Sequence, residues 1–135
     1  MAIEIDPKFE QRILKEYVIW LTTVRDDGQP QPTPVWFIYE NGVFTIYTVP
    51  TAQKVKNIAA NPRVALNINS DYEGGDFVII TGEADFFPAP LPATQNATYF
   101  NKYAQGITNI GMTPESFEQQ FSAAIRVTPS RVRGE

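Results

Sequence analysis

Lys54, Asn57 and Asn61 stand at positions i, i+3 and i+7, close to one face of the chain if the segment is helical. The segment around them runs Tyr47-Thr48-Val49-Pro50-Thr51-Ala52-Gln53-Lys54-Val55-Lys56-Asn57-Ile58-Ala59-Ala60-Asn61-Pro62-Arg63-Val64. It predicts a strand that ends near Thr48, a turn, and a helix over 51–60. Thr51 is the expected N-cap and Asn61-Pro62 the stop. First-turn N–H groups of such a helix lack intrahelical partners and carry the positive end of its dipole. With a lysine beside them they suit a phosphate. A solvated surface helix carries lysines in the same pattern, so spacing alone leaves both readings open.

Most other side-chain chemistry is excluded by absence. The chain has no histidine and no cysteine, which removes disulfides, zinc fingers, iron–sulfur clusters, Cys nucleophiles and the commonest general base. A Ser-His-Asp site is impossible. Neither G-x-G-x-x-G nor a Walker A loop occurs. The carboxylates Asp26-Asp27, and Asp71 with Glu73 and Asp76, fall in turn clusters without EF-hand spacing, and turn chemistry explains them. No metal ligands and no catalytic side chain are predicted. The reaction, if there is one, belongs to a bound cofactor.

Eleven basic and fifteen acidic side chains give a net charge of −4, which repels phosphate backbones. A barrel that stacks single-stranded nucleic acid on its aromatics is therefore disfavoured, and no nucleic-acid partner is expected. The field is uneven, because no acidic residue lies between Glu40 and Asp71, where Lys54, Lys56 and Arg63 all fall. A local cationic island suits a small anionic ligand. No apolar run approaches a membrane span, and the first residues do not form a signal peptide. A cytoplasmic protein is expected.

At 135 residues, one domain spanning 1–135 is expected. Asp6-Pro7 starts a short amphipathic helix. Strands are predicted over 18–24, 33–39, 43–48, 63–69, 77–87 and 123–127, with 130–133 as a candidate continuation. Asn41-Gly42 joins the second and third as a hairpin. Gly82 inside the fifth marks a bulge or a close backbone approach. The proline-rich stretch 88–92 is a stiff connection, and helices follow over 93–103 and 114–121, the last capped by Thr113. Six mostly hairpin-linked strands with peripheral helices predict a mainly β, α+β fold built on a small antiparallel barrel.

The Y-T-x-x-x-x-x-K-x-x-N-x-x-x-N-P-R-V run of residues 47–64 resembles the pyridoxamine 5′-phosphate oxidase-like split β-barrel superfamily. It is most similar to the branch of small flavin- or deazaflavin-dependent reductases. Residues 21–30, Thr33-Pro34-Val35-Trp36-Phe37, Tyr99-Phe100-Asn101-Lys102-Tyr103 and residues 125–134 resemble that branch in the same linear order. The resemblance implies a six-stranded, FMN-binding type of split barrel. It also implies a homodimer with its cofactor sites at the subunit interface. Lys54 becomes the leading phosphate contact, helped by Thr48, Thr51 and Asn57. Pro34, Val35 and Trp36 border the ring with backbone groups and an apolar wall, and Tyr47 borders the same groove. Arg131 and Arg133 are candidates to reach the partner's cofactor. In the oxidase proper an arginine precedes the lysine, whereas here that position is Gln53, which argues against pyridoxamine phosphate oxidation. The missing histidines argue against the haem-degrading relatives.

The resemblance implies an oxidoreductase that moves hydride between FMN or the deazaflavin coenzyme F-420 and a small organic substrate. The alternative is a non-enzymatic flavin or deazaflavin carrier or redox sensor.

Overall fold

The computed structural model describes residues 3–135. Asp6 accepts the Lys8 N–H at 2.9 Å and Pro7 opens α1, Pro7–Lys15, as that dipeptide predicts. The strands are β1 (Ile19–Val24), β2 (Pro30–Val35), β3 (Ile38–Glu40), β4 (Val43–Thr48), β5 (Arg63–Asn67), β6 (Val78–Phe86) and β7 (Ala123–Gly134). Helix α2 spans Gln53–Ala60, α3 Ala97–Asn109 and α4 Pro114–Gln120, with a single 3₁₀ turn at Ala93–Gln95.

All seven strands form one antiparallel sheet in the order β2-β1-β5-β6-β7-β4-β3. β2 and β3 are consecutive in the chain yet lie at opposite ends of that order. Only Trp36 and Phe37 join them, a reach of at most about 11 Å. The sheet must therefore curl until its two edges nearly meet, which is a split barrel. Ile19, Leu21, Phe44, Ile46, Leu66, Ile80, Ile125 and Val127 fill its interior, each fully buried.

Seven strands replace the expected six because the stretch 33–39 is not continuous. The strand pairing lapses at Trp36 and Phe37, where the Phe37 N–H donates to the Tyr103 hydroxyl at 2.8 Å. A tertiary contact breaks what β-propensity alone would continue. Thr51 is not the N-cap of α2. The chain first makes a turn in which Ala52 N–H donates to Val49 carbonyl at 3.0 Å, so the cap position falls on Ala52, with no side-chain bond. The helix expected over 93–103 begins instead after Asn96, whose side chain accepts from Tyr99 N–H.

Several local expectations hold. Asn41 and Gly42 take φ of 55° and 78° in the β3–β4 turn, as a type I′ hairpin requires. The β6–β7 register shifts between Thr81 and Gly82, and a Cβ on Gly82 would collide with the Thr128 carbonyl oxygen. Thr113 and Ser116 form a reciprocal capping box before α4.

Candidate functional site

The edge strand β2 carries Pro30, Pro32 and Pro34 at alternate positions, opposite Val24, Thr22 and Trp20 of β1. Proline cannot donate to a ladder. Pairing with β1 therefore runs through Gln31, Thr33 and Val35, and the free edge offers carbonyl acceptors without N–H donors. Such an edge resists pairing with another strand. A ligand that lies along it must bring its own donors.

At the end of this edge the structure opens a cavity of about 360 Å³, within the size range of small-molecule sites. Much of its lining is apolar and aromatic, made by Val18, Trp36, Tyr99, Ile110, Phe117 and Phe121. The same lining includes Thr48 at the end of β4 and Lys54 in the first turn of α2. Pro34, Val35 and Tyr47 complete the lining.

Lys54 is half-buried, and burial alone pulls its pKa below the ordinary lysine value. Among the described residues no carboxylate forms an ion pair with it. A half-buried ammonium that lines a cavity without an ion-pair partner suits an anion. No carboxylate lines the cavity, so its walls contain no general base of the usual kind.

The residues expected from the sequence are distributed as follows. Lys54, Thr48, Pro34, Val35, Trp36 and Tyr47 share the one cavity. Tyr47 is buried, its hydroxyl donates to Leu91 carbonyl at 2.7 Å, and burial raises its pKa. Its ring packs against Tyr99 in a T-shaped contact with centroids 4.7 Å apart. Thr51 is exposed in the turn before α2 and is not among the lining residues. Asn57 is 2% exposed. Its amide donates to Thr23 and Gln31 and its carbonyl oxygen accepts from Gln53, all at 2.9 Å. Asn57 thus ties α2 to β1 and β2, which orients the turn carrying Lys54. Asn61 accepts from Arg63 N–H at 3.1 Å.

A second hollow of about 350 Å³ shares Lys54 and is bordered by Gln29, Gln31, Gln53 and Thr33. The Thr33 hydroxyl is buried there and has no hydrogen-bond partner among the described residues. Buried polar groups rarely stay unpaired, and an unmet one marks a place for water or ligand.

The family of the pyridoxamine 5′-phosphate oxidase matches residues 5–134. The chain belongs to that family. Among solved structures it is similar to an F420 reductase, at 23% identity with a TM-score of 0.75, over 97% of this chain and 100% of that one. It is also similar to an FAD-binding protein from Mesorhizobium loti, at 16% identity, TM-score 0.68, over 93% and 87%. A third is HutZ, a haem storage protein from Vibrio cholerae, at 15% identity, TM-score 0.66, over 98% and 95%. At these identities the likeness is one of fold. No curated protein matches the chain by sequence.

Within this family fold, sequence reasoning missed the wall opposite β2. Tyr99, Ile110, Phe117 and Phe121 come from α3, α4 and the segments that end them. Their spacing reads as ordinary core periodicity. Only the packing of α3 and α4 over the split brings them to the strand residues. Thr33 was legible as part of β2, but nothing in the sequence marks its hydroxyl as unpartnered. No helix among the described residues is long and apolar enough to cross a membrane.

Proposed function

We propose that the cavity holds a phosphate-bearing flavin or deazaflavin, FMN or coenzyme F-420, and that the protein is an oxidoreductase acting on a small organic molecule. The observation that carries this reading is the mixed lining of one cavity: the rings of Trp36, Tyr47, Tyr99, Phe117 and Phe121 share it with Thr48 and with a half-buried Lys54 that forms no ion pair among the described residues. Lys54 holds the phosphate as a point charge, and Thr48 adds a donor. Trp36 and Phe117, 5.7 Å apart, border the planar ring, and the carbonyl-only edge of β2 accepts from its N–H groups. Asn57 fixes the helix turn on which Lys54 stands. The bound ring supplies hydride chemistry, which fits a cavity without a general base. The absence of histidine and cysteine supports a flavin-type group over haem.

The same reading includes a homodimer. The outer face of the sheet carries rows that run Pro34–Trp20–Asn67–Ile79–Arg133 and Pro32–Thr22–Ala65–Thr81–Arg131. Arg131 and Arg133 in these rows form no ion pair among the described residues. An isolated chain exposes 7858 Å², about a tenth more than the roughly 7,100 Å² usual for this mass. Both features support burial of this face against a second copy.

Calorimetry with FMN and with the deazaflavin coenzyme tests the proposal. One of them should bind with one site per chain, and a protein that binds neither refutes it. Turnover with a quinone or dye acceptor then separates enzyme from carrier, since a carrier retains the reduced ring without passing hydride on.

A further inference from the structure

Gly106 sits inside α3, where glycine is the poorest helix former short of proline. Its φ is not in the left-handed region, so backbone geometry does not require it. The requirement comes from its neighbours. A Cβ on Gly106 would collide with the Tyr17 hydroxyl and stand 3.0 and 3.2 Å from two carbons of the Trp36 ring. Tyr17 is 43% exposed and can swing toward water. Trp36 has no such freedom. It stacks on Tyr103 at 4.6 Å and 5° between planes, and Phe117 lies 5.7 Å away. Tyr103 is itself pinned, since its hydroxyl accepts Phe37 N–H at 2.8 Å and donates toward the Tyr17 and Phe37 carbonyls at 2.7 and 2.8 Å. The open space that borders Trp36 is the cavity.

We propose that Gly106 is a specificity-determining residue. By leaving room for the edge of the Trp36 ring, it sets the depth of the cavity's apolar end and so the size of flat ring admitted there. That the ring is a flavin rests on the function proposed above, whereas the seating of Trp36 does not. Gly106 acts through Trp36 and touches no reacting atom, so its role is one of positioning.

The test uses the full chain, Gly106→Ala, and two probes: FMN, and the neutral fluorophore N-phenyl-1-naphthylamine. Helix propensity alone predicts a firmer α3 and unchanged binding. A pushed Trp36 predicts a retained far-ultraviolet and an altered near-ultraviolet circular dichroism, with both probes bound about tenfold more weakly or worse. Adding Trp36→Phe in the same chain should restore affinity to within about threefold, as coupling between touching residues requires. Unchanged affinity in Gly106→Ala, or a loss that Trp36→Phe does not relieve, overturns the proposal. Where the wild type binds coenzyme F-420 and not FMN, F-420 takes the place of FMN in the series. If the wild type binds the fluorophore but neither FMN nor F-420, the flavin reading fails and the fluorophore series decides the role of Gly106. If it binds none of the three, both fail. Should Gly106→Ala not fold, the double variant decides: recovery of the fold supports the steric seat, and a double variant that also fails to fold overturns it.

Discussion

The cluster inside the curled sheet and the cluster beneath α3 and α4 are packed from different side chains. Apart from Phe37 and Phe44, the first is aliphatic, and buried Thr23 continues the inward row of Ile19 and Leu21. The second gathers Tyr47, Tyr99, Tyr103 and Phe117, with Trp36, Phe100 and Phe121 packed against them. Its rings meet at centroid distances of 4.4 to 6.3 Å. Two of its hydroxyls are tied to backbone: Tyr47 to Leu91 carbonyl, and Tyr103 to the Phe37 peptide. Aliphatic packing holds a sheet closed without regard to direction. Tyrosines add directional ties at their polar ends, which fix the wall of a cavity. The first cluster makes the barrel, and the second shapes the space at its split.

The largest effect expected from this contrast is on stability alone. Leu66→Ala in the barrel interior should cost about 2–5 kcal/mol, read as a fall in urea midpoint. Ligand affinity of the folded fraction should stay within about twofold. A core truncation that abolished binding at conditions where the chain is folded would break the division between the clusters. The converse change is Lys54→Ala. It should leave the urea midpoint nearly unmoved and weaken FMN binding by about ten- to a hundredfold, the range for a charge-assisted hydrogen bond. Calorimetry on the two variants makes the comparison direct, and unchanged affinity would remove Lys54 from the site.

Tyr103→Phe should fall between the clusters in character and below both changes in size. It keeps the ring stack with Trp36 but deprives the buried Phe37 N–H of its acceptor. Phe37 carbonyl still receives Lys102 Nζ at 2.9 Å, whereas the Phe37 N–H loses its acceptor and the Tyr17 carbonyl loses the hydroxyl as donor; the orphaned buried N–H costs about 1–3 kcal/mol. The near-ultraviolet circular dichroism should change little if stacking alone seats Trp36. A large change would assign that role to the hydroxyl tie.

This tie also explains what the sequence could and could not reveal. Features set by a few adjacent residues were legible: the Asp6-Pro7 start, the Asn41-Gly42 hairpin, the Gly82 bulge and the Thr113 cap. The break at Trp36-Phe37 was not, because its cause is a hydroxyl 66 residues away. The position of Lys54 followed from local spacing. The commitment of Asn57 to Thr23 and Gln31 did not, since those partners lie on β1 and β2. The aromatic wall was hidden for the same reason. Phe117 and Tyr99 read as core residues, and they are core residues. Only their packing against the break in β2–β3 makes them cavity wall as well.

The smallest expected effect is a pH dependence that belongs to the aromatic cluster. Lys102 donates to Phe37 carbonyl and lies 3.8 Å from the centre of the Phe37 ring. Burial lowers its pKa to about 8, while in the unfolded chain it titrates near the ordinary lysine value of 10.5. Between those values the unfolded chain holds a proton that the folded chain has released, so stability rises with pH across that window. Burial lowers the pKa of Lys54 too, which adds in the same direction. Tyr39, Tyr47, Tyr99 and Tyr103 have raised values, so the folded chain retains their protons longer and stability turns down above about pH 10. Among the described residues no fully buried side chain of the barrel cluster titrates, and Tyr39, partly buried against that cluster, contributes only to the alkaline downturn. Urea midpoints at pH 7.5 and 9.5 should therefore differ less in Lys102→Met than in the wild type, with the wild type gaining more on the alkaline side. General repulsion from the growing negative charge acts on both proteins and cancels in that difference. Equal pH responses in the two would show that the ammonium over Phe37 is solvated as freely as any surface lysine.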